Sequence, residues 1–175
     1  MVFTAEMLRA LELASIKHRD QRRKDQEKSP YINHPIAVAA LLAQHGITDP
    51  IALVAAVLHD TIEDTTTTRE ELVAAFGEAV AACVCEVTDD RSLPKDRRKE
   101  LQVEHAAHLS RSAKLVKLAD KICNLRDIID SPPADWPVKR RQDYVVWCKC
   151  VIDELRGTSP ALERLFDDHY ERARK

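Results

Sequence analysis

Ile51-Ala52-Leu53-Val54-Ala55-Ala56-Val57-Leu58-His59-Asp60-Thr61-Ile62-Glu63-Asp64-Thr65 is the stretch from which the rest of the chain is read. Its first eight residues are all apolar and leave no polar face. A helix of that kind must be enclosed by other elements. It is also far too short to span a bilayer, which takes about 20 residues. The segment therefore predicts a central buried helix over about residues 51–62, with Asp49-Pro50 as its start signal. Ionisable residues follow at once. Burying them is costly unless they are paired or bound to metal, and a divalent cation would compensate them well. His59 and Asp60 are adjacent, about 100° apart around a helix, so they share a coordination shell only if other segments complete it. Glu63 and Asp64 come about one turn, ~5.4 Å, further on. That places them beside a metal rather than on it, where carboxylates orient or deprotonate water or protonate a leaving oxygen. The plain alternative is a surface helix end with an acidic turn.

Working outward, a first helix is expected over about Thr4–Lys24, with Thr4 as its cap. Asp25–Tyr31 is polar, contains Pro30 and reads as a loop. His34-Pro35 opens a second helix bearing Ile36, Ala37, Ala40, Leu41 and Leu42, which stops at Gly46. Downstream, Thr68 with Glu71 resembles a capping box for a short helix ending at Gly77. A helix over Glu78–Val87 and an exposed loop over Thr88–Arg98 follow. Further helices are expected over 97–109, 112–129, 137–156 and 159–173, broken by Pro132-Pro133 and by Gly157-Thr158-Ser159-Pro160. No segment reads as a strand and no repeat is evident. The expected fold is all-α: a compact single-domain multi-helix bundle over 1–175, closed by the helix at 159–173.

Composition excludes several function classes. The chain has 175 residues and 45% hydrophobic content, enough for a core without disulfides. With only Gly46, Gly77 and Gly157, it has no glycine-rich phosphate loop. A net charge of −2 gives no general attraction for nucleic acid or anionic membrane. A polyanionic substrate must instead meet local basic clusters: Arg22 to Lys24, Lys95 to Lys99 and Lys139 to Arg141. Five cysteines, an odd number, suit a reducing compartment, so a cytoplasmic location is expected. Cys83/Cys85 and Cys148/Cys150 are i,i+2 pairs that diverge by about 200° on a helix, so they are expected to be ordinary thiols. No signal-type apolar segment is seen at the start.

Two more segments carry chemistry-bearing residues. Pro30-Tyr31-Ile32-Asn33-His34-Pro35 puts a histidine at a helix entrance. Lys117-Leu118-Ala119-Asp120-Lys121-Ile122-Cys123-Asn124-Leu125-Arg126 carries Asp120 and Asn124 one turn apart beside a stripe of Leu115, Leu118, Ile122, Leu125 and Ile129. By periodicity alone Asp120 could simply be solvated.

Together, RRKDQEKSPYINHP, VLHDTIEDT, EVTDDRSLPKDRRK and KLVKLADKICNLRD resemble the HD superfamily of metal-dependent phosphohydrolases. More narrowly they resemble the hydrolase domain of RelA/SpoT-type enzymes, and above all the small stand-alone alarmone hydrolases of the Mesh1-like group. The resemblance covers about residues 5–157. It implies an HD-domain bundle that hydrolyses the 3′-pyrophosphate of ppGpp or pppGpp to GDP or GTP and pyrophosphate. The chain leaves no room for a synthetase domain, so a hydrolase alone is expected. Carried over by position, the resemblance makes His34, His59, Asp60 and Asp120 the metal ligands. The implied ion is one Mn²⁺, with Mg²⁺, Zn²⁺ or Co²⁺ as substitutes. Glu63 and Asp64 become the water-activating pair. Arg23, Lys24, Lys95, Asn124, Arg140 and Tyr144 become substrate contacts. The partner is then a small nucleotide, with no nucleic acid and no membrane, and the protein is expected to be a monomer or weak homodimer. One departure is Cys123, where relatives usually carry an aromatic residue or histidine. His18, expected to be half-buried, His45 at a helix end, the His105/His108 pair and His169 are set aside as structural. Rival readings are an NADPH 2′-phosphatase, another HD nucleotide phosphohydrolase, and a non-catalytic nucleotide-binding module. The intact Glu63-Asp64 pair argues against the last of these.

Overall fold

The computed structural model describes residues 2–175, and among these it holds ten α-helices and no strand. The bundle is organised around α3 (Pro50–Leu58). Asp49 caps it by accepting from the Ile51 amide, and every side chain from Ala52 to Leu58 is buried. Its apolar circumference is covered by α1 (Val2–Lys17), α2 (Asn33–Gln44), α6 (Glu78–Val87) and α8 (Arg111–Asp130). This is the enclosure that an all-round apolar helix requires. The capping box holds as expected: Thr68 Oγ1 accepts from the Glu71 amide at the start of α5 (Arg69–Phe76). α7 (Lys95–Ala106) packs against α9 (Val138–Asp153), and α10 (Pro160–Ala173) lies along α8. No helix among the described residues is long and apolar enough to cross a membrane.

Several expected boundaries move: Thr4 lies inside the first helix and does not cap it, α7 stops at Ala106 and α9 at Asp153. Three other shifts bear on the site, each for a local reason. The first helix ends at Lys17, not Lys24. Residues 19–24, Arg-Asp-Gln-Arg-Arg-Lys, have no apolar stripe to hold a helix on the core. The chain instead folds back on itself. Arg22 bridges Pro30, the Arg23 amide donates to Ser29 O at 2.8 Å, and the Tyr31 amide donates to Gln21 O at 3.1 Å. The central helix ends at Leu58, not Ile62, and a turn at His59-Asp60 leads into the single turn α4 (Thr61–Asp64). Two side chains take over backbone acceptors there. His59 Nδ1–H donates to Ala56 O at 2.9 Å, and Thr61 Oγ1 donates to Leu58 O at 2.7 Å. Such bonds compete with the helix's own ladder. The loop expected over 88–98 ends at Pro94, because α7 begins at Lys95. A smaller correction concerns α8: its buried stripe ends on Ile128 rather than Ile129.

Candidate active site

The turn at residues 59–60 turns the ionisable groups out of the core toward α2 and α8. His34, at the entrance of α2, places Nε2 3.1 Å from Asp120 Oδ1, halfway along α8. His59 places Nε2 3.1 Å from Asp60 Oδ2 and 3.8 Å from Asp120 Oδ1. His34 Nε2 is 3.9 Å from the same Asp60 oxygen. Ligand atoms of His34, His59 and Asp120 all lie within 4.8 Å of one another, and Asp60 stands outside that trio, against the two imidazoles. The three segments read as separate in the sequence thus meet at one point.

The chemistry of this donor set fits a cation. Because His59 Nδ1–H donates to Ala56 O, its neutral ring presents a bare lone pair at Nε2. That buried atom has no hydrogen-bond donor and faces two carboxylate oxygens. An acceptor surrounded by acceptors needs a positive charge among them. Without a metal, a proton can fill that need. Burial pulls the His59 pKa down, but Asp60 and Asp120 outweigh it and push the imidazole up to about 9. Against burial, His59 and His34 hold Asp60, and Lys121 first with His34 and His59 holds Asp120, well below the usual carboxylate range. Around this core, Tyr31 donates its hydroxyl to Asp60 Oδ2 at 2.6 Å, Lys121 donates to Asp120 Oδ2 at 3.1 Å, and Asn124 donates to Asp120 Oδ1 at 2.6 Å. Such outer contacts fix the orientation of metal-binding carboxylates.

Glu63 and Asp64 flank the cluster from α4. The Asp89 amide donates to Glu63 Oε2 at 3.1 Å, and burial raises the Glu63 pKa. Asp64 is held at both oxygens, Oδ2 by the Gln21 amide at 2.6 Å and Oδ1 by Arg91. Both carboxylates border a cavity of about 690 Å³, within the usual size for a small-molecule site. Its walls carry six basic side chains, Arg22, Arg23, Lys24, Arg91, Arg98 and Arg126, against four carboxylates, a net positive lining in a chain of net negative charge. Arg23 pairs with Asp127 and donates to Asn124 Oδ1 at 3.3 Å, so it and Asn124 form one strut reaching Asp120.

Arg23, Lys24, Asn124 and Tyr144 all line the cavity. Lys95 and Arg140 are exposed and do not line it. Arg140 covers the Trp136 ring at 4.3 Å, and Trp136, flanked also by Lys24 at 5.9 Å and Tyr144 at 5.4 Å, lines the wall itself. Cys123 is buried and forms none of the cavity lining. Trp136, Gln21, Tyr31, Arg91 and Lys117 had no role assigned from sequence. Four of them sit in loops or at element ends, where no periodicity marks a direction. Lys117 lies mid-helix, buried, with its ammonium donating to Val87 O at 3.0 Å behind the metal cluster.

Comparison with known proteins agrees with this geometry. An HD domain family model matches residues 10–148. The Xenopus tropicalis protein named guanosine-3′,5′-bis(diphosphate) 3′-pyrophosphohydrolase MESH1 is 54% identical over 164 residues, covering 93% of this chain and 92% of that protein. The Homo sapiens protein of the same name is 54% identical, covering 91% of this chain and 89% of its own length. A solved structure described as a metazoan ortholog of SpoT that hydrolyzes ppGpp superposes with a TM-score of 0.93 at 48% identity, covering 95% of this chain and 94% of the other.

Proposed function

The chain belongs to the HD domain family, and from that premise we propose that it hydrolyses the 3′-pyrophosphate of ppGpp to GDP and pyrophosphate. The observation that carries this reading is the convergence of His34, His59, Asp60 and Asp120 beside the Glu63-Asp64 pair, next to a net positive cavity that His34, Glu63 and Asp64 also line. The first four would hold one divalent cation. Two imidazoles with two carboxylates form a borderline-to-hard set that suits Mn²⁺. When bound, the cation supplies Lewis-acid polarisation of phosphoryl oxygen and acidifies water.

The remaining steps belong to the chain's own residues. The arginines and lysine of the wall neutralise a guest carrying roughly five or more negative charges, for which forked guanidinium groups are suited. The Trp136 and Tyr144 rings offer an apolar wall for the purine end. Asp64, with Glu63 beside it, orients the attacking water and takes its proton. The new oxygen–phosphorus bond forms as the bond to the ribose 3′-oxygen breaks. That oxygen takes up a proton, and pyrophosphate leaves. Charge gathering on the phosphoryl oxygens is met by Arg91 and Arg98, both 3.8 Å from Glu63 Oε1 in the resting site.

The test is a substrate panel with Mn²⁺, Mg²⁺ and chelator. ppGpp should give GDP and pyrophosphate in equal amounts with Mn²⁺, and chelator should stop the reaction. Intact ppGpp alongside consumption of NADPH, a cyclic dinucleotide or a monophosphate would sink the assignment.

A further inference from the structure

Three of the seven histidines are buried, and the metal cluster uses two of them. The third is His18, whose place on the expected first helix predicts half-burial; it is 1% exposed. Its ring lies 5.0 Å from that of Tyr31. Its Nδ1 is 2.6 Å from Gln21 Oε1, and its Nε2 is buried with no hydrogen-bond partner. Gln21 in turn donates Nε2–H to Asp64 Oδ2 at 2.6 Å.

The hydrogen-bond logic of this chain leaves one arrangement. A carboxylate accepts only, so the NH₂ end of Gln21 must face Asp64. Its carbonyl end then faces His18 and also accepts only, so His18 must carry its proton on Nδ1. Burial lowers the His18 pKa, which keeps the ring neutral and leaves Nε2 as a bare acceptor. Packing alone does not account for a histidine here, because an apolar ring would avoid that unpaired nitrogen. The one polar bond His18 makes is the one that fixes which way Gln21 points. Asp64 is thus gripped from inside at Oδ2, while its other oxygen meets only Arg91, whose side chain is 58% exposed.

Resting on the functional reading above, we propose that His18 and Gln21 are positioning residues. The relay from His18 Nδ1–H through the Gln21 amide to Asp64 Oδ2 sets the plane of the carboxylate and reserves Oδ1 to receive the proton of the attacking water. Arg91 covers Oδ1 in the resting site and gives way when the substrate's phosphates compete for it.

Steady-state kinetics on ppGpp with Mn²⁺ separate this role from a structural one. Gln21→Ala should lower kcat by about 10–100-fold, the usual effect of misplacing a reacting group by ~1 Å. KM and Mn²⁺ affinity should stay within about twofold, because neither depends on where Oδ1 points. The loss should vanish when Gln21→Ala is introduced into Asp64→Asn, since a residue acting through Asp64 has nothing left to position. His18→Phe should lower kcat in the same way. His18→Asn, which restores an N–H near the Nδ1 position, should recover part of it. Full activity in Gln21→Ala, or losses that multiply with Asp64→Asn, would overturn the relay. Nitrogen-15 NMR of the imidazoles, with His18 assigned by its disappearance in His18→Phe, reads the relay without turnover. A neutral ring protonated at Nδ1 supports it, and one protonated at Nε2 overturns it, even if ppGpp proves not to be the substrate.

Discussion

Lys117 is buried behind the acidic cluster with a single hydrogen-bond partner, Val87 O, and desolvation, reinforced by the charge of Lys121 and opposed by Asp120, Asp89 and Glu63, pulls its pKa from 10.5 down to about 8. The sign of its effect on stability follows from linkage. Below about pH 8 the ammonium is charged in both the folded and unfolded chains, and the folded chain carries the desolvation cost. Between about 8 and 10.5 only the unfolded chain keeps the proton, so stability rises with pH, and above that range the cost is gone. Lys117→Met should therefore stabilise the metal-free protein at pH 7 by about 1–3 kcal/mol. That gain should shrink as the pH approaches 10.5, as thermal melts at several pH values would show. A Tm gain independent of pH would mean that better packing, not removal of the charge, is responsible. Asp64 gives a second prediction at this scale. Asp64→Asn should bind Mn²⁺ as the wild type does while kcat falls by about 10²–10⁴-fold, the usual contribution of a positioned base. Wild-type turnover in that variant would remove Asp64 from the proton-transfer step.

At the scale of the element, the turn between α3 and α4 decides whether the site exists at all. Were the helix to run on to Ile62, His59 and Asp60 would stay in the α3 ladder and their approach to His34 and Asp120 would be lost. Thr61→Val removes the hydroxyl that takes Leu58 O out of that ladder while keeping the shape of the side chain. It should cost about 1 kcal/mol in stability, as loss of a buried hydrogen bond does, and weaken Mn²⁺ binding measured by titration calorimetry. Unchanged metal affinity would show that the turn is set elsewhere. This junction also marks how far the sequence could be read. The eight-residue apolar run announced the central helix, Asp49-Pro50 its start, and the Thr68 box the start of α5. The convergence of His34, His59, Asp60 and Asp120 was legible because four motifs occur together in order; periodicity alone left Asp120 solvated. What stayed hidden depended on side chains redirecting the backbone. His59 and Thr61 end α3 early, and residues 19–31 fold back where a continuing helix was expected, which is what brings Gln21 to Asp64. Those bonds join residues up to 43 positions apart, and no local pattern records them.

For the whole molecule, the cavity concentrates positive charge in a chain whose net charge is −2. Attraction of a multiply charged anion into such a concave site weakens with added salt. Raising NaCl from about 0.05 to 0.5 M, which shortens the screening length to a few Å, should raise KM for ppGpp severalfold with little change in kcat. A KM indifferent to salt would mean that hydrogen bonding and stacking, not the field, draw the nucleotide in. One feature of the architecture bears on how this protein could change. α3 is enclosed on every side, so the imidazole and carboxylate cradle at its end has no free surface along which to drift. Three of the five cavity arginines, Arg22, Arg23 and Arg91, hang instead from the fold-back at residues 19–31 and the loop at 88–94, while Arg98 and Arg126 stand on α7 and α8. Selection for a differently shaped phosphate ester would find its raw material in those two peripheral loops, while the hydrolytic centre passed through unaltered.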